Sequence, residues 1–488
     1  VSAGLAKYIG AQTGSFFMAF DAVVIGSGPN GLAAAIELAR QGCSVCVFEA
    51  SSTIGGGARS AEWTLPGFIH DTCSAIHPLG AGSPFFRQLP LHEYGLEWIY
   101  PENSVAHALD NGRAIVLERS VERTAQNLGR DGIAYARLML PFVERWKDLA
   151  AELLAPIHIP RNPMLMARFG LRALQSASVL AASRFSDTQA RALLAGLAAH
   201  SILPLDSPGT AAFSLIFAVL GHAVGWPLPK GGSQKLTDAL VAYFATMGGT
   251  IVTDTRIDSV SQVPKAKVIL CDITPRQLLR LAGDRLPPRY IRKLERFRYG
   301  LGVFKVDWAL GAPIPWSNSE CRRTASLHLG GSLEEIMESE RLAANGEISE
   351  RPFVILAQPT LFDSTRAPSG MHTAWAYCHV PNGSSTDITD RIEAQVERFA
   401  PGFRECILSR HTFSAVELEA YNANYVGGDI AGGSTDLAQL IARPTFSLCP
   451  YRTPLHNLFI CSSSTPPGGG VHGMCGYHAA RAALRFCL

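Results

Sequence analysis

Two hydrophobic patterns divide the chain. Short continuous apolar runs bounded by Gly, Pro or Asp predict buried strands, and longer segments with apolar residues three and four apart predict helices. Residues 21–50 read strand, turn, helix, strand: 22–25 is β-branched, 32–40 is an Ala-rich helix stopped by Gly42, and 44–48 is a second apolar strand ending on Glu49. Residues 120–225 read mainly as helices. Within them, 207–229 carries no charge and approaches the ~20 apolar residues of a membrane span. Pro208, Gly209, His222, Gly225 and Pro227 interrupt it, so a buried helix beside an apolar pocket is expected, with Phe213, Leu215, Phe217 and Trp226 as pocket residues. Pro229 to Ser233 then opens a helix over 234–247, and strands follow at 250–260 and 267–271, the latter running into Asp272 before a helix near Pro275. This return to an α/β pattern predicts strands of the same sheet as 21–49. Residues 299–380 hold four strand patterns (302–308, 325–329, 353–358 and 372–380), followed by a helix over 387–399 and a glycine-rich loop over 422–434. The last element repeats the first: a strand at 458–461, a Pro/Gly turn and a helix over 471–486.

The first turn carries the chemistry. Gly26, Gly28 and Gly31 form G-x-G-x-x-G between a strand and a helix. Gly26 permits the tight turn, Gly28 lets a pyrophosphate approach the backbone, and Gly31 lets helix and strand pack closely. The helix N-terminus offers unpaired N–H groups and a partial positive charge. Glu49 follows Gly26 at about the 20 residues expected of a carboxylate on a ribose hydroxyl. Together these predict dinucleotide binding. Gly55-Gly56-Gly57-Ala58-Arg59 then adds glycines for close ligand approach and a guanidinium suited to phosphate. The pair Gly330-Gly331 lacks a third glycine and reads as an ordinary helix start, so no second dinucleotide turn is expected. His70, Asp71 and His77 have no fixed ligand spacing, and no metal is expected.

Composition narrows the class. The 488 residues allow two or three domains, and 47% hydrophobic against 17% charged residues makes the chain globular and apolar. A net charge of +2 argues against nucleic acid as a partner. The only C-x-x-C, Cys43 and Cys46, runs into a strand, where residues three apart face opposite sides, so it is no redox disulfide. Most of the eleven cysteines read as small buried hydrophobes, which fits a reducing, cytoplasmic setting. Residues 153–185 are apolar with Arg161, Arg168, Arg172 and Arg184 and no acid. They fit a helical cap over the active site, a face lying on a membrane surface, or both. Residues 1–17 precede a plausible start at Met18 and read as an arm, an upstream extension or an expression remnant, with no support for a signal peptide.

GSGPNGL, the strand ending on Glu49 and GGGARS resemble the glutathione-reductase-type FAD fold. PKGGSQKLTDAL with GGTIVTDTRIDSV, and LFICSSSTPPGGGVHGMCGYHAA, resemble its phytoene desaturase-like branch. That branch includes carotenoid desaturases and isomerases, retinol saturase and the pyridine nucleotide-disulfide oxidoreductase domain 2 proteins. MHTAWAYCHVP and NANYVGGDIAGG resemble the last subgroup best. The resemblance, over roughly 19–488, implies an α/β fold: a Rossmann-like FAD-binding domain assembled from 18–119, 229–298 and 426–488. A helical cap over 120–228 and a mixed α+β substrate domain over 299–425 would complete it. It implies that Gly26, Gly28, Pro29, Asn30 and Gly31 cradle the pyrophosphate, that Glu49 with Ala50 meets the adenosine ribose, and that Gly56, Gly57 and Arg59 lie near the phosphates and flavin entry. Ile257 would meet adenine, Ser462 and Ser463 the phosphate and ribityl region, and Gly470, Val471, His472, Gly473 and Met474 the flavin edge. Many relatives have glycine in place of Ser462 and histidine in place of Pro466, so no role is borrowed from that histidine.

The implied activity is flavin hydride exchange with a lipophilic unsaturated substrate, by desaturation, saturation or isomerisation. Electrons would pass to oxygen, a quinone or another carrier, with peripheral membrane contact. No catalytic residue is assigned: His77, Tyr425 and His472 can shuttle protons but read as structural or cofactor-contacting. Two alternatives stay open, an amine oxidase-like flavoenzyme and a non-catalytic flavin-bound interaction protein.

Overall fold

The computed structural model describes residues 19–110 and 112–488; segment 1–17 lies outside the described residues. Five parallel strands form one sheet in the order Leu458–Ile460, Ala266–Cys271, Phe20–Ile25, Val45–Phe48, Thr250–Val252. Three distant stretches of chain therefore meet in one sheet. Val45–Phe48 is buried throughout and Phe20–Ile25 along its last four residues, which is why these strands read as continuous apolar runs rather than alternating ones. The strand expected over 250–260 stops at Val252. Thr253, Asp254, Thr255 and Arg256 carry no apolar face to bury, and Asp254 turns the chain with a φ of 52°.

Helices Pro29–Arg40 and Met474–Phe486 lie side by side against this sheet. Their approach rests on Gly476, where a Cβ would stand 1.8 Å from the Asn30 carbonyl oxygen. Gly476→Ala is expected to force the helices apart and cost on the order of 1–3 kcal/mol, read as a lowered thermal midpoint. The last helix starts at Met474 rather than 471, because Gly473 takes a left-handed φ of 69° and breaks the helical run.

A seven-stranded sheet forms the second layer, in the order Ile407–Phe413, Gly302–Leu310, His372–Val380, Val354–Ala357, Ser326–Leu329, Asn103–Leu109, Arg113–Glu118. All its pairings are antiparallel except Ser326–Leu329 with Asn103–Leu109. It thus takes two strands from the stretch that sequence order groups with the dinucleotide turn. The 330–332 start is an ordinary one: the Ser332 side chain accepts from the Glu335 N–H, with Glu335 reaching back, in a capping box.

Helices from Val121–Asn127 to Thr210–Ala223 form the cap, with Thr188–Ala199 and Thr210–Ala223 packed against strands Asn103–Leu109 and Arg113–Glu118 of the second sheet. The uncharged stretch is the buried helix Thr210–Ala223. Among the described residues no helix is long and apolar enough to cross a membrane.

Candidate functional site

The site begins where Phe20–Ile25 ends. Gly26 takes a φ of 100°, turning the chain so that the N-terminus of Pro29–Arg40 faces the end of the sheet. A Cβ on Gly31 would lie 2.1 Å from the Gly26 carbonyl oxygen, and one on Gly28 would lie 2.7 Å from Asp272 Oδ2. Both glycines are dictated by space, since backbone and a buried carboxylate leave no volume there. Asp272, just past strand Ala266–Cys271, accepts the Gly31 N–H at 2.9 Å, and its backbone carbonyl accepts Asn424 Nδ2 at 3.0 Å. Burial, reinforced by the Glu49 charge, lifts its pKa from 3.8 to about 7.

Glu49 sits at the end of the neighbouring strand. One carboxylate oxygen accepts the Ser27 N–H and hydroxyl at 2.9 and 2.6 Å; the other accepts the Ser51 N–H at 2.9 Å and Arg59 Nη2 at 3.1 Å. These four bonds occupy both oxygens and fix the carboxylate rigidly at the cavity wall, where a ribose hydroxyl would bind in exchange for one of these donors. Arg59 is buried and committed to Glu49, so it orients that carboxylate rather than reaching out as a loose phosphate fork. Gly56 and Gly57 form the adjoining turn. A Cβ on Gly57 would meet the Tyr425 hydroxyl at 2.1 Å, so this glycine makes room for a buried phenol.

A cavity of about 1040 Å³ runs along these elements. Its wall includes Gly26, Gly28, Pro29, Asn30, Glu49, Ala50, Gly56, Gly57, Arg59 and Ile257 from the N-terminal and middle segments. Ser463, Gly470, Val471 and His472 join from the C-terminal turn. Gly31, Ser462, Gly473 and Met474 stand behind the wall. Ser462 Oγ donates to the Ile273 carbonyl at 2.8 Å and ties two strand ends together. Gly473 breaks and starts the last helix, and Met474 N–H donates to His472 Nδ1 at 3.0 Å. That bond leaves the His472 ring proton on Nε2. Burial lowers the pKa of His472, and likewise of His77, to about 4, so both rings are neutral near pH 7. His77 Nε2 lies 2.7 Å from Ser233 Oγ. Of the expected pocket residues, Phe213, Phe217 and Trp226 line the cavity, whereas Leu215 faces the core. His70 and Asp71 take part in no metal grouping: Asp71 pairs with Arg366 at 2.8 Å, and among the described residues no cluster could hold a metal ion.

Several wall residues were not singled out from the sequence. Asp272 is one, although its place at a strand end beside the glycine turn is a usable signal. Trp375, Tyr377, Tyr421, Met166 and Phe169 are others, brought in by the second sheet, the helix Ala415–Tyr421 and the cap. No local pattern marks them.

The residues present fit a dinucleotide. The two glycine turns leave a cradle that side chains would fill, a helix N-terminus faces it, and Asn30 Oδ1 is a buried acceptor without a protein partner in the wall. The cysteines 43 and 46 are both free thiols, and burial pushes the pKa of Cys46 up to about 12.

Comparison with known proteins agrees. The chain is 27% identical to rat (Rattus norvegicus) pyridine nucleotide-disulfide oxidoreductase domain-containing protein 2, over 96% of this chain and 93% of that one. It is 23% identical to the lycopene-forming phytoene desaturase of a Paracoccus species, over 95% and 96%. A putrescine oxidase structure superposes with a TM-score of 0.61 at 17% identity, covering 96% of this chain and 99% of that one, a likeness of fold. The family model described as FAD dependent oxidoreductase matches residues 21–283, more than half the chain, beginning at the first strand of the cradle. The chain therefore belongs to the FAD dependent oxidoreductase family, and its cofactor is FAD.

Proposed function

We propose that this oxidoreductase acts on a lipophilic unsaturated substrate of carotenoid, isoprenoid or retinoid type, by desaturation, saturation or isomerisation. The observation that carries the reading is the cavity wall away from the glycine turns, formed by Met166, Phe169, Phe213, Ile216, Phe217 and Trp226. Apolar surface buried there gains roughly 25 cal/mol per Å². A charged substrate would lose its hydration against that wall without a partner. The likeness to a phytoene desaturase points the same way.

FAD, when bound, supplies the two-electron exchange. The chain supplies the rest. The N-terminus of Pro29–Arg40 and the flanking glycines would hold phosphates, and Glu49, positioned by Ser27, Ser51 and Arg59, would take a ribose hydroxyl in place of one of these donors. The aromatic and aliphatic wall excludes water and aligns the substrate. Neutral His77 and His472 put no cation beside it near pH 7.

One observation favours a second reading. Trp375 and Tyr377 stack with centroids 5.7 Å apart and 18° between planes, and Tyr421 and Tyr425 share the same wall. Such a grouping can hold an alkylammonium by cation–π contact, as an amine-oxidising enzyme requires.

Anaerobic titration of the FAD-loaded protein separates the readings. Polyenes, prenyl lipids or retinoids are expected to bleach the oxidised flavin if they are desaturated or to restore the absorbance of pre-reduced flavin if they are saturated, and aliphatic amines to do neither. Readmitting oxygen or adding a quinone then identifies the electron acceptor. Bleaching by amines with peroxide release would replace the first reading by the second. A flavin whose absorbance no lipophile and no amine changes in either oxidation state, with every lipid recovered unisomerised, leaves only a non-catalytic flavin protein.

A further inference from the structure

The cap presents an outer face that is apolar where a water-facing helix is normally charged. On helix Pro163–Ala173 the inward stripe is Leu165, Phe169 and Ala173, as its spacing requires. The opposite side carries Met164 and Leu171, 81% and 74% exposed, and the preceding loop adds Ile159 at 91%. A second apolar strip continues the patch: Ile441 ends helix Leu437–Ile441, Phe446 and Leu448 follow it, and all three are exposed. The two strips adjoin, since Leu437 packs on Gly209, whose N–H donates to the Leu174 carbonyl at 3.2 Å.

Charge along the cap segment of this face has one sign. From 153 to 186 the only charged residues are Arg161, Arg168, Arg172 and Arg184, and none of them forms an ion pair among the described residues. Burial together with the Arg184 and Arg168 charges lowers the Arg172 pKa, as expected of cations gathered without counter-ions. The cavity wall includes both Ile157, 68% exposed, and Ile441, so the cavity reaches the surface between the two apolar strips.

We infer that this face docks on an anionic lipid bilayer, with Ile159, Met164, Leu171, Phe446 and Leu448 entering the headgroup boundary, the four arginines meeting lipid phosphates, and the cavity mouth opening onto the membrane. Apolar side chains rimmed by unpaired arginines match an interface whose surface is anionic and whose interior is hydrocarbon. A second copy of the chain is a poorer occupant, because self-association would face arginines with arginines. The role of the face in substrate entry rests on the proposed lipophilic substrate; the docking does not.

The test is flotation of the full FAD-loaded chain with phosphatidylcholine vesicles, with and without phosphatidylglycerol. Binding is expected with the anionic vesicles, falling steeply as salt is raised. Met164→Glu/Leu171→Glu and Arg168→Glu/Arg172→Glu are each expected to weaken it by about ten-fold or more, while flavin content and thermal midpoint stay at the parental values, because these side chains lie on the surface. Absence of the parental protein from floated anionic vesicles overturns the inference. So does equal binding by parent and variants, or a dimer in light scattering that the same substitutions dissolve without any vesicle binding. Flotation is read without substrate, so docking that holds while no lipophile changes the flavin in either oxidation state or is isomerised sinks the proposed substrate class alone.

Discussion

Gly31→Ala is expected to yield protein that no longer retains FAD. The added methyl would lie 2.1 Å from the Gly26 carbonyl oxygen and 3.1 Å from Asp272 Oδ2. Neither neighbour is the free end of a flexible side chain: one is backbone of the turn, and the other is a buried carboxylate bonded to the Gly31 N–H itself. Relief requires moving the first turn of Pro29–Arg40 away from the strand, which takes with it the N–H groups that face the cradle. A loss of at least about 100-fold in FAD affinity, roughly 3 kcal/mol, is the expected size. It is checked by equilibrium dialysis and by the flavin-to-protein absorbance ratio after purification. Gly170→Ala is the control. Gly170 lies in helix Pro163–Ala173 and a Cβ there meets nothing within 4 Å, so this change should leave flavin content intact and add up to about 1 kcal/mol of stability. Retained FAD in the Gly31 variant would mean that the cradle is not the phosphate site.

The second large effect belongs to Asp272. Its carboxyl borders the cradle, and burial holds its pKa near 7 against 3.8 when solvated. The sign follows from which form is charged. Below about pH 7 the folded protein keeps Asp272 neutral and the cradle receives phosphates unopposed; above it, a carboxylate faces them. FAD affinity is therefore expected to weaken as pH rises through 7, approaching ten-fold per unit where the group alone controls binding. The FAD-free protein follows the same linkage. Below pH 3.8 the group is protonated in folded and unfolded chains alike, between 3.8 and 7 only the unfolded chain ionises, and above 7 both do. Stability therefore falls across that window by a few kcal/mol and then levels off. Asp272→Asn keeps an acceptor for the Gly31 N–H and removes the charge. The variant should bind FAD more tightly above pH 7 and show a flattened pH profile in both affinity and thermal midpoint. An unchanged profile would place the titrating group elsewhere.

The two predictions rest on differently legible residues. Gly31 was readable because the dinucleotide turn is local: one strand, three glycines and one helix lie within a short stretch, and the tightest steric demand on Gly31 comes from the nearby Gly26 carbonyl. Glu49 was readable for the same reason. Arg59 was readable as a residue of the site but not in its orientation, because only the fold brings it to Glu49. Ser462 shows the reverse error of scale. Its place in the C-terminal motif is local, but its hydroxyl is turned to the Ile273 carbonyl, just past a strand far away in sequence. The start of the last helix was misplaced by three residues because glycine is compatible with helix and with its termination alike, and Gly473 takes the left-handed conformation.

By itself the sequence determined the parallel sheet, the glycine cradle at its end, the carboxylate on the second strand and the uncharged buried helix. Each is written in apolar runs and turn residues whose physical demands are met within a few positions of the chain. Tertiary structure alone decided that Asp272 faces the cradle, that Trp375 and Tyr377 stack in the same wall, that the strands of 103–118 belong to the second sheet, and that the apolar residues of 157–174 and 441–448 form one patch around the cavity mouth. Those outcomes depend on contacts between segments tens to hundreds of residues apart. No local periodicity records them, because a side chain's burial, charge state and neighbours are set by whichever distant element packs against it.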